Sequence, residues 1–259
     1  MEPSTRSSTK KGLRNVLQFH NRLRCRSVLL LLLIATNGPA DPSMRVVGPP
    51  QNLAFARYIA LLQKRNPFTE SGPVLVFIEA CLPKLYKEAD LLAIRELGEN
   101  ERSQYRVLQG EGDGTVTEEV IGRYFALQKQ MEKLPVSSIL ITPANYKFRF
   151  AGEVKTGGKS AYIYKIFPRK SRPGVITGQL WIDSDTGAEV MLTGRVINVS
   201  SIGRVDVVRD TKFLNGSAYA RFTHLTFTVP QLGRSELVIK EYLVSPENDV
   251  RPPEAEGCR

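Results

Sequence analysis

From about residue 138 to 243 the chain has no helical period and becomes a succession of short apolar segments. They are SSILI, YKFRFAGEV, SAYIYKIF, GVITGQLWID, AEVMLTGRVINV, GRVDVVRDTKF, AYARFTHLTFTV and SELVIKEYLV. Each is rich in Val, Ile, Thr, Tyr and Phe. Turn residues separate them at roughly ten-residue intervals, as in an antiparallel meander. In 176–182, Ile176, Leu180 and Ile182 share one face while Thr177 and Gln179 point the other way. In 219–229, Leu225, Phe227 and Val229 share a face. The expectation is a large sheet with one apolar wall, and that wall needs a cover.

The first half of the chain supplies helices. Thr115 and Glu118 have capping-box spacing. Val120, Tyr124, Leu127, Met131 and Leu134 follow at steps of three or four, and Pro135 stops the run. Asn52 is placed to cap a helix through LAFARYIALLQKR, with Leu53, Tyr58, Ile59 and Leu62 near one face and Asn66-Pro67 ending it. A second helix is predicted over PVLVFIEACLPKLYKEA, broken or kinked at Pro83. DLLAIRELG and SQYRVLQGE read as a strand pair.

The chain is therefore read as α+β, an antiparallel sheet covered by helices and preceded by an N-terminal helical segment. Residues 1–40 are a leader, 41–87 a linker with helices, and 88–245 the sheet domain with a helix at about 116–134. Residues 246–259 are a polar, Pro-rich tail. A length of 259 residues at 42% hydrophobic is enough for one good-sized core or two small ones.

The formal charge of +10 would suggest a nucleic-acid or membrane partner if it were spread over the body. It is not. Of 36 Lys/Arg and 26 Asp/Glu, seven and one fall in residues 1–40, which leaves 29 and 25 for the rest. A weakly basic body is an ordinary solvated surface, and no nucleic-acid partner is expected. The leader has a basic stretch through Arg26, then SVLLLLLIA, then TNGPAD. That is the order of an export signal with cleavage at Ala40/Asp41. The apolar run of roughly nine residues falls short of the ~20 that span a bilayer. The long basic region leaves an uncleaved anchor as the alternative. Cys25 precedes the apolar run, where a lipid-modified cysteine would follow it. Export places Cys81 and Cys258 in an oxidising compartment, compatible with one bond between them or with independent thiols. They form no CxxC or zinc spacing.

GQLWIDSDTGAEV (178–190) looks at first like a calcium loop. With Asp183 as position 1, Asp185 takes position 3. Gly187 then falls at position 5, Ala188 at 6 and Gly194 at 12, where the loop needs a ligand, a glycine and a glutamate. The flanks are strand-like. A hairpin turn accounts for both aspartates and the glycine, and no metal site is expected. His224 is the only histidine outside the leader and is read as a sheet-face residue, since it has no second histidine to act with. QGEGDGT (109–115) precedes a helix, but Glu111 and Asp113 would repel phosphate, so it reads as a turn and cap. PRKSRPG gathers Arg169, Lys170 and Arg172 between strands, either as a basic loop for anionic headgroups or an acidic partner, or as a solvated hairpin tip. Asn198-Val-Ser200 and Asn215-Gly-Ser217 match the glycosylation sequon, and Asn215-Gly216 also reads as a hairpin turn.

YIYKIFPRKSRPGVITGQLWIDSDTGAEVMLTGRV resembles the middle of the outer-membrane lipoprotein-carrier superfamily, the LolA/LolB/RseB-like proteins, and above all uncharacterised exported bacterial members. The shared pattern is a strand ending in Pro168, a basic turn through Arg169–Arg172, Gly174, a strand ending Leu180-Trp181-Ile182-Asp183, an acidic turn with Gly187, and a strand carrying Gly194-Arg195. The resemblance covers about 146–243 and more loosely 88–134. It implies a strongly curved half-barrel with helices in its concave face, in the periplasm or cell envelope of a bacterium. In the carriers that cavity holds acyl chains. This chain is longer at its N-terminus, and its layout over 88–134 differs.

Two functional readings follow. In the first, the exported protein is a non-enzymatic binding module for a lipid or acylated ligand. Tyr164, Ile166, Leu180, Ile182, Leu192, Leu225 and Phe227 then line the apolar cavity. In the second, that wall is a filled core and the surface binds an envelope partner. No enzyme is expected, because no convergent acid/base or nucleophilic set is visible, and no cofactor is called for. Membrane-surface contact is compatible with either.

Overall fold

The computed structural model describes residues 50–63, 72–98, 103–156, 159–199, 203–214 and 217–244. The leader, Asn66-Pro67, Asn215-Gly216, Cys258 and the tail lie outside them. The elements are α1 (Pro50–Leu62), β1 (Val74–Leu82), β2 (Lys87–Leu97) and β3 (Ser103–Gly112). Next comes α2, built from Gly114–Val116, a π turn at Thr117–Ile121 and Gly122–Met131, then the single turn α3 (Val136–Ile139). Seven strands follow: β4 (Tyr146–Thr156), β5 (Lys159–Pro168), β6 (Ile176–Asp183), β7 (Glu189–Val199), β8 (Gly203–Leu214), β9 (Ser217–Val229) and β10 (Gly233–Leu243). All ten join one antiparallel sheet in the order β3-β2-β1-β10-β9-β8-β7-β6-β5-β4. The sheet is curved and does not close, and the helices pack on its concave face.

The meander expected from the second half of the chain is present from β4 to β10. Several expectations before β4 need correction. VLVFIEACL is strand β1, not helix, and it pairs with both β2 and β10. A short continuous apolar run has no period that separates a buried strand from a buried helix. Here Val74, Val76, Ile78, Ala80 and Leu82 are all buried. Pro83 opens the turn that returns the chain into β2, and Tyr86 ends it at φ 53°. SSILI is not a strand either: Val136–Ile139 form α3. At α2 the cap is Asp113, not Thr115. Its carboxylate accepts from the Thr115 N–H at 2.8 Å and the Val116 N–H at 3.3 Å.

Helix α1 begins at Pro50, so Asn52 lies inside it. Its buried residues are Ala54 and Tyr58, with Phe55, Ile59 and Leu62 packed beside them, while Leu53 is exposed. Tyr58, Ile59 and Leu62 therefore face inward as expected, and Ala54 and Phe55 take the place expected for Leu53.

Two glycines bring β6 and β7 into close contact. Gly178 on β6 stands opposite Gly194 on β7. A Cβ on Gly178 would lie 1.9 Å from the Thr193 carbonyl oxygen. Both alternate in phase with the buried residues, so the concave face lacks side chains at this pair.

Candidate functional site

The concave face carries two apolar clusters. Under α1 lie Ile141, Tyr146, Tyr164, Ile166, Val175, Leu180, Ile182 and Leu192. Under α2 lie the inward residues of β1, β8, β9 and β10, Leu225 and Phe227 among them. All seven expected cavity residues are therefore buried, and the register brings Tyr164, Leu180 and Leu192 side by side across β5, β6 and β7. The structure divides them between two helices: five meet α1 and two meet α2.

Helix α1 is held at both ends. The Gln51 carbonyl accepts from the Tyr164 hydroxyl at 2.6 Å, and the Tyr58 hydroxyl donates to the Ile141 carbonyl at 3.0 Å. Arg57 donates to the Asp185 carbonyl. Phe55 packs edge-on against Phe148, with ring centroids 4.7 Å apart.

The opening of that contact is the Asp183–Ala188 turn. The Asp183 carboxylate accepts from the Asp185 N–H at 3.1 Å and from the Thr186 N–H and hydroxyl at 2.8 Å. Gly187 takes φ 76°. A Cβ there would come within 2.5 Å of Arg57 Cβ and 2.7 Å of the Tyr58 nitrogen. The glycine both makes the turn and admits the helix. Gly187→Val is expected to lower stability by about 2 kcal/mol or more, read by urea unfolding. An unchanged midpoint would show that α1 does not rest on this turn.

Between the two clusters runs a polar row that sequence reasoning missed. Arg221 stands directly opposite Glu241, and its Nε donates to the carboxylate at 2.6 Å. Arg95 Nη1 donates to the other oxygen at 2.5 Å. Glu241 is 4% exposed. Burial pushes its carboxyl up, but Arg221 and then Arg95 draw it further down, so it rests below the usual carboxylate range. Further along, Arg209 donates to Glu189 through Nε at 2.9 Å and Nη2 at 2.6 Å. The signal was available. Arg209 falls in phase with Val205 and Val207, Arg221 with Leu225 and Phe227, and Glu241 with Leu237 and Ile239.

Next to this row, between α2 and β3, a groove of about 400 Å³ is lined by Ser103, Tyr105, Phe125, Ala126, Gln128, Lys129 and Glu132. Tyr105 and Phe125 meet edge-on at 5.0 Å. The lining is mixed in polarity and open to solvent at its rim.

The remaining sequence candidates lie apart. Arg169 and Lys170 are exposed, while Arg172 is half-buried. Arg172 Nη2 donates to Asn145 Oδ1 at 2.6 Å, and Arg169 Nε to the Pro143 carbonyl at 2.7 Å. Two of the three basic side chains thus fasten the 143–145 loop. His224 is on the convex face, half exposed, with Nε2 3.7 Å from Glu236 Oε2. Cys81 is disulfide-bonded, and its partner lies outside the described residues. Among the described residues no three His, Cys, Asp or Glu side chains converge as a metal would need. No described helix is long and apolar enough to cross a membrane.

Burial also sets the alkaline limit of the fold. It raises the phenols of Tyr58 and Tyr124 well above 10 and that of Tyr164 to about 12. A folded-state value above the unfolded one gives stability that is complete below pH 10 and lost as pH rises through the folded values. A subset of the nine tyrosines should therefore ionise only together with loss of the far-ultraviolet circular dichroism signal. All nine titrating near pH 10 in a folded protein would contradict the packing of both helices.

No family model matches the chain, and no curated protein does. Solved structures do. MucB is 10% identical over 74% of this chain and 94% of its own, with a TM-score of 0.27. A LolA superfamily protein from Nitrosomonas europaea is 11% identical over 75% of this chain and 93% of its own, with a TM-score of 0.31. MucB in complex with MucA is 10% identical over 73% of this chain and 92% of its own, with a TM-score of 0.22.

Proposed function

We propose that the protein is an exported, non-enzymatic interaction module of the bacterial cell envelope whose concave face is filled by its own helices. One observation carries this reading. The seven apolar residues that would line a ligand cavity are already covered, five by α1 and two by α2. Function then falls to the outer surfaces and edges.

A second reading has its own support. Helix α1 covers its wall through a few fastenings, at Gln51, Arg57 and Tyr58. A lipid or acylated ligand that displaced it would find an apolar trough. Titration with a fluorescent fatty acid separates the two. The filled module shows no saturable uptake. Saturable uptake that is blocked by a disulfide engineered between α1 and β6 would establish the carrier instead.

A further inference from the structure

The two edges of the sheet differ in a way that points to a partner. Edge strand β4 carries Lys147, Arg149 and Lys155 against Glu153. A second copy of β4 would repel it, which is how edges are commonly protected. Edge strand β3, SQYRVLQGEG, carries one cation and one anion, Arg106 and Glu111. It is ten residues long and exposes Val107 at 56% and Leu108 at 46%. Among the described residues neither Arg106 nor Glu111 forms an ion pair.

The register with β2 fixes where these charges point. Arg106 pairs with Ile94 and Glu111 with Asp90. Residues 90 and 94 lie on the same face of β2, so Arg106 and Glu111 share a face although the step between them in sequence is odd. The bulge between Leu92 and Ala93, which leaves Leu108 unpaired, makes this so. The face is the convex one, opposite Ala93 and Arg95.

We propose that β3 is a self-association edge, on which a second copy of this chain pairs antiparallel about a twofold axis between Leu108 and Gln109. That register sets Arg106 opposite the other copy's Glu111, twice. It also sets Val107 over the other copy's Gly110 and Tyr105 over its Gly112, large against small. In each of these pairs the opposed residues share a face, as a twofold perpendicular to the sheet demands. The strand accepts a neighbour of this charge pattern for a further reason. Burial raises the Asp90 carboxyl, and Glu79, Glu88 and Glu111 crowd it and raise it further. The second copy brings an arginine to that corner. Strand pairing and burial of Val107 and Leu108 supply the attraction, and the two ion pairs select the register.

Charge reversal in halves tests this, with sedimentation velocity of the full exported protein at rising concentration. The native protein should form dimers. R106E places acid opposite acid, and E111R places base opposite base. Each should weaken dimerisation by about tenfold or more. A one-to-one mixture of the two variants pairs a chain with two acids and a chain with two bases, and should restore dimers to near the native level. All these side chains are exposed, so circular dichroism should report native folds for both variants. A native protein that stays monomeric overturns the proposal. So does a dimer that both single variants leave intact, or a mixture no tighter than its components.

Discussion

Leu180→Asp should lower stability by about 4–5 kcal/mol and bring the melting temperature down accordingly. Leu180 has no exposed surface and lies between Tyr164 on β5 and Leu192 on β7, beneath α1. A carboxylate there would have no cation to meet and would either drag water under the helix or take up a proton. Both outcomes loosen α1, whose only large support is this wall. The neighbouring Gln179→Asp is the control. Gln179 alternates outward, so its replacement should be nearly neutral. Equal effects at 179 and 180 would mean that the inward face of β6 is wrongly assigned, and with it every concave residue from β5 to β7.

Glu241→Leu should cost about 3–5 kcal/mol for a different reason. It removes the carboxylate that separates two guanidiniums, Arg95 and Arg221, at the centre of the concave face. The triple replacement of Glu241, Arg95 and Arg221 by leucine should recover much of that loss, because well-packed apolar side chains often replace a buried ionic group without cost. The native carboxyl is held below its ordinary 4.5. Its contribution is therefore present above that value and fades as pH falls through the lower, folded one. The gap between native protein and the single variant should narrow as pH falls below 4.5 and through the lower folded value. A single variant as stable as the native protein at pH 7 would show that the row is solvated rather than structural.

Much of this architecture was legible because period two is a strong signal when it repeats. The segments from Tyr146 to Leu243 each announced a strand, and the parity at Leu180 and Leu225 named the correct inward face. What failed was local. β1 shows no period in its sequence because the half-buried Leu75 and Phe77 are as apolar as the buried residues between them, so its apolar run fits a helix equally well. Asp113 competes with Thr115 as a cap, and spacing alone does not rank them. The concave charges went unread because an arginine in phase with valines looks like noise in a strand pattern. Their meaning rests on Glu241, which is distant from Arg95 in sequence and adjacent only once β10 has crossed to β1. The candidate cavity residues were found as a face, but their division between α1 and α2 depends on helix placement that no strand pattern encodes.

On the proposed reading, the protein's own helices occupy the apolar wall. Native mass spectrometry with lipid extraction, on residues 41–259 purified after export from a bacterial host, tests it most directly. The account predicts a mass equal to that of the polypeptide and no lipid in the extract. A stoichiometric co-purifying lipid would contradict it and make the trough beneath α1 a ligand site.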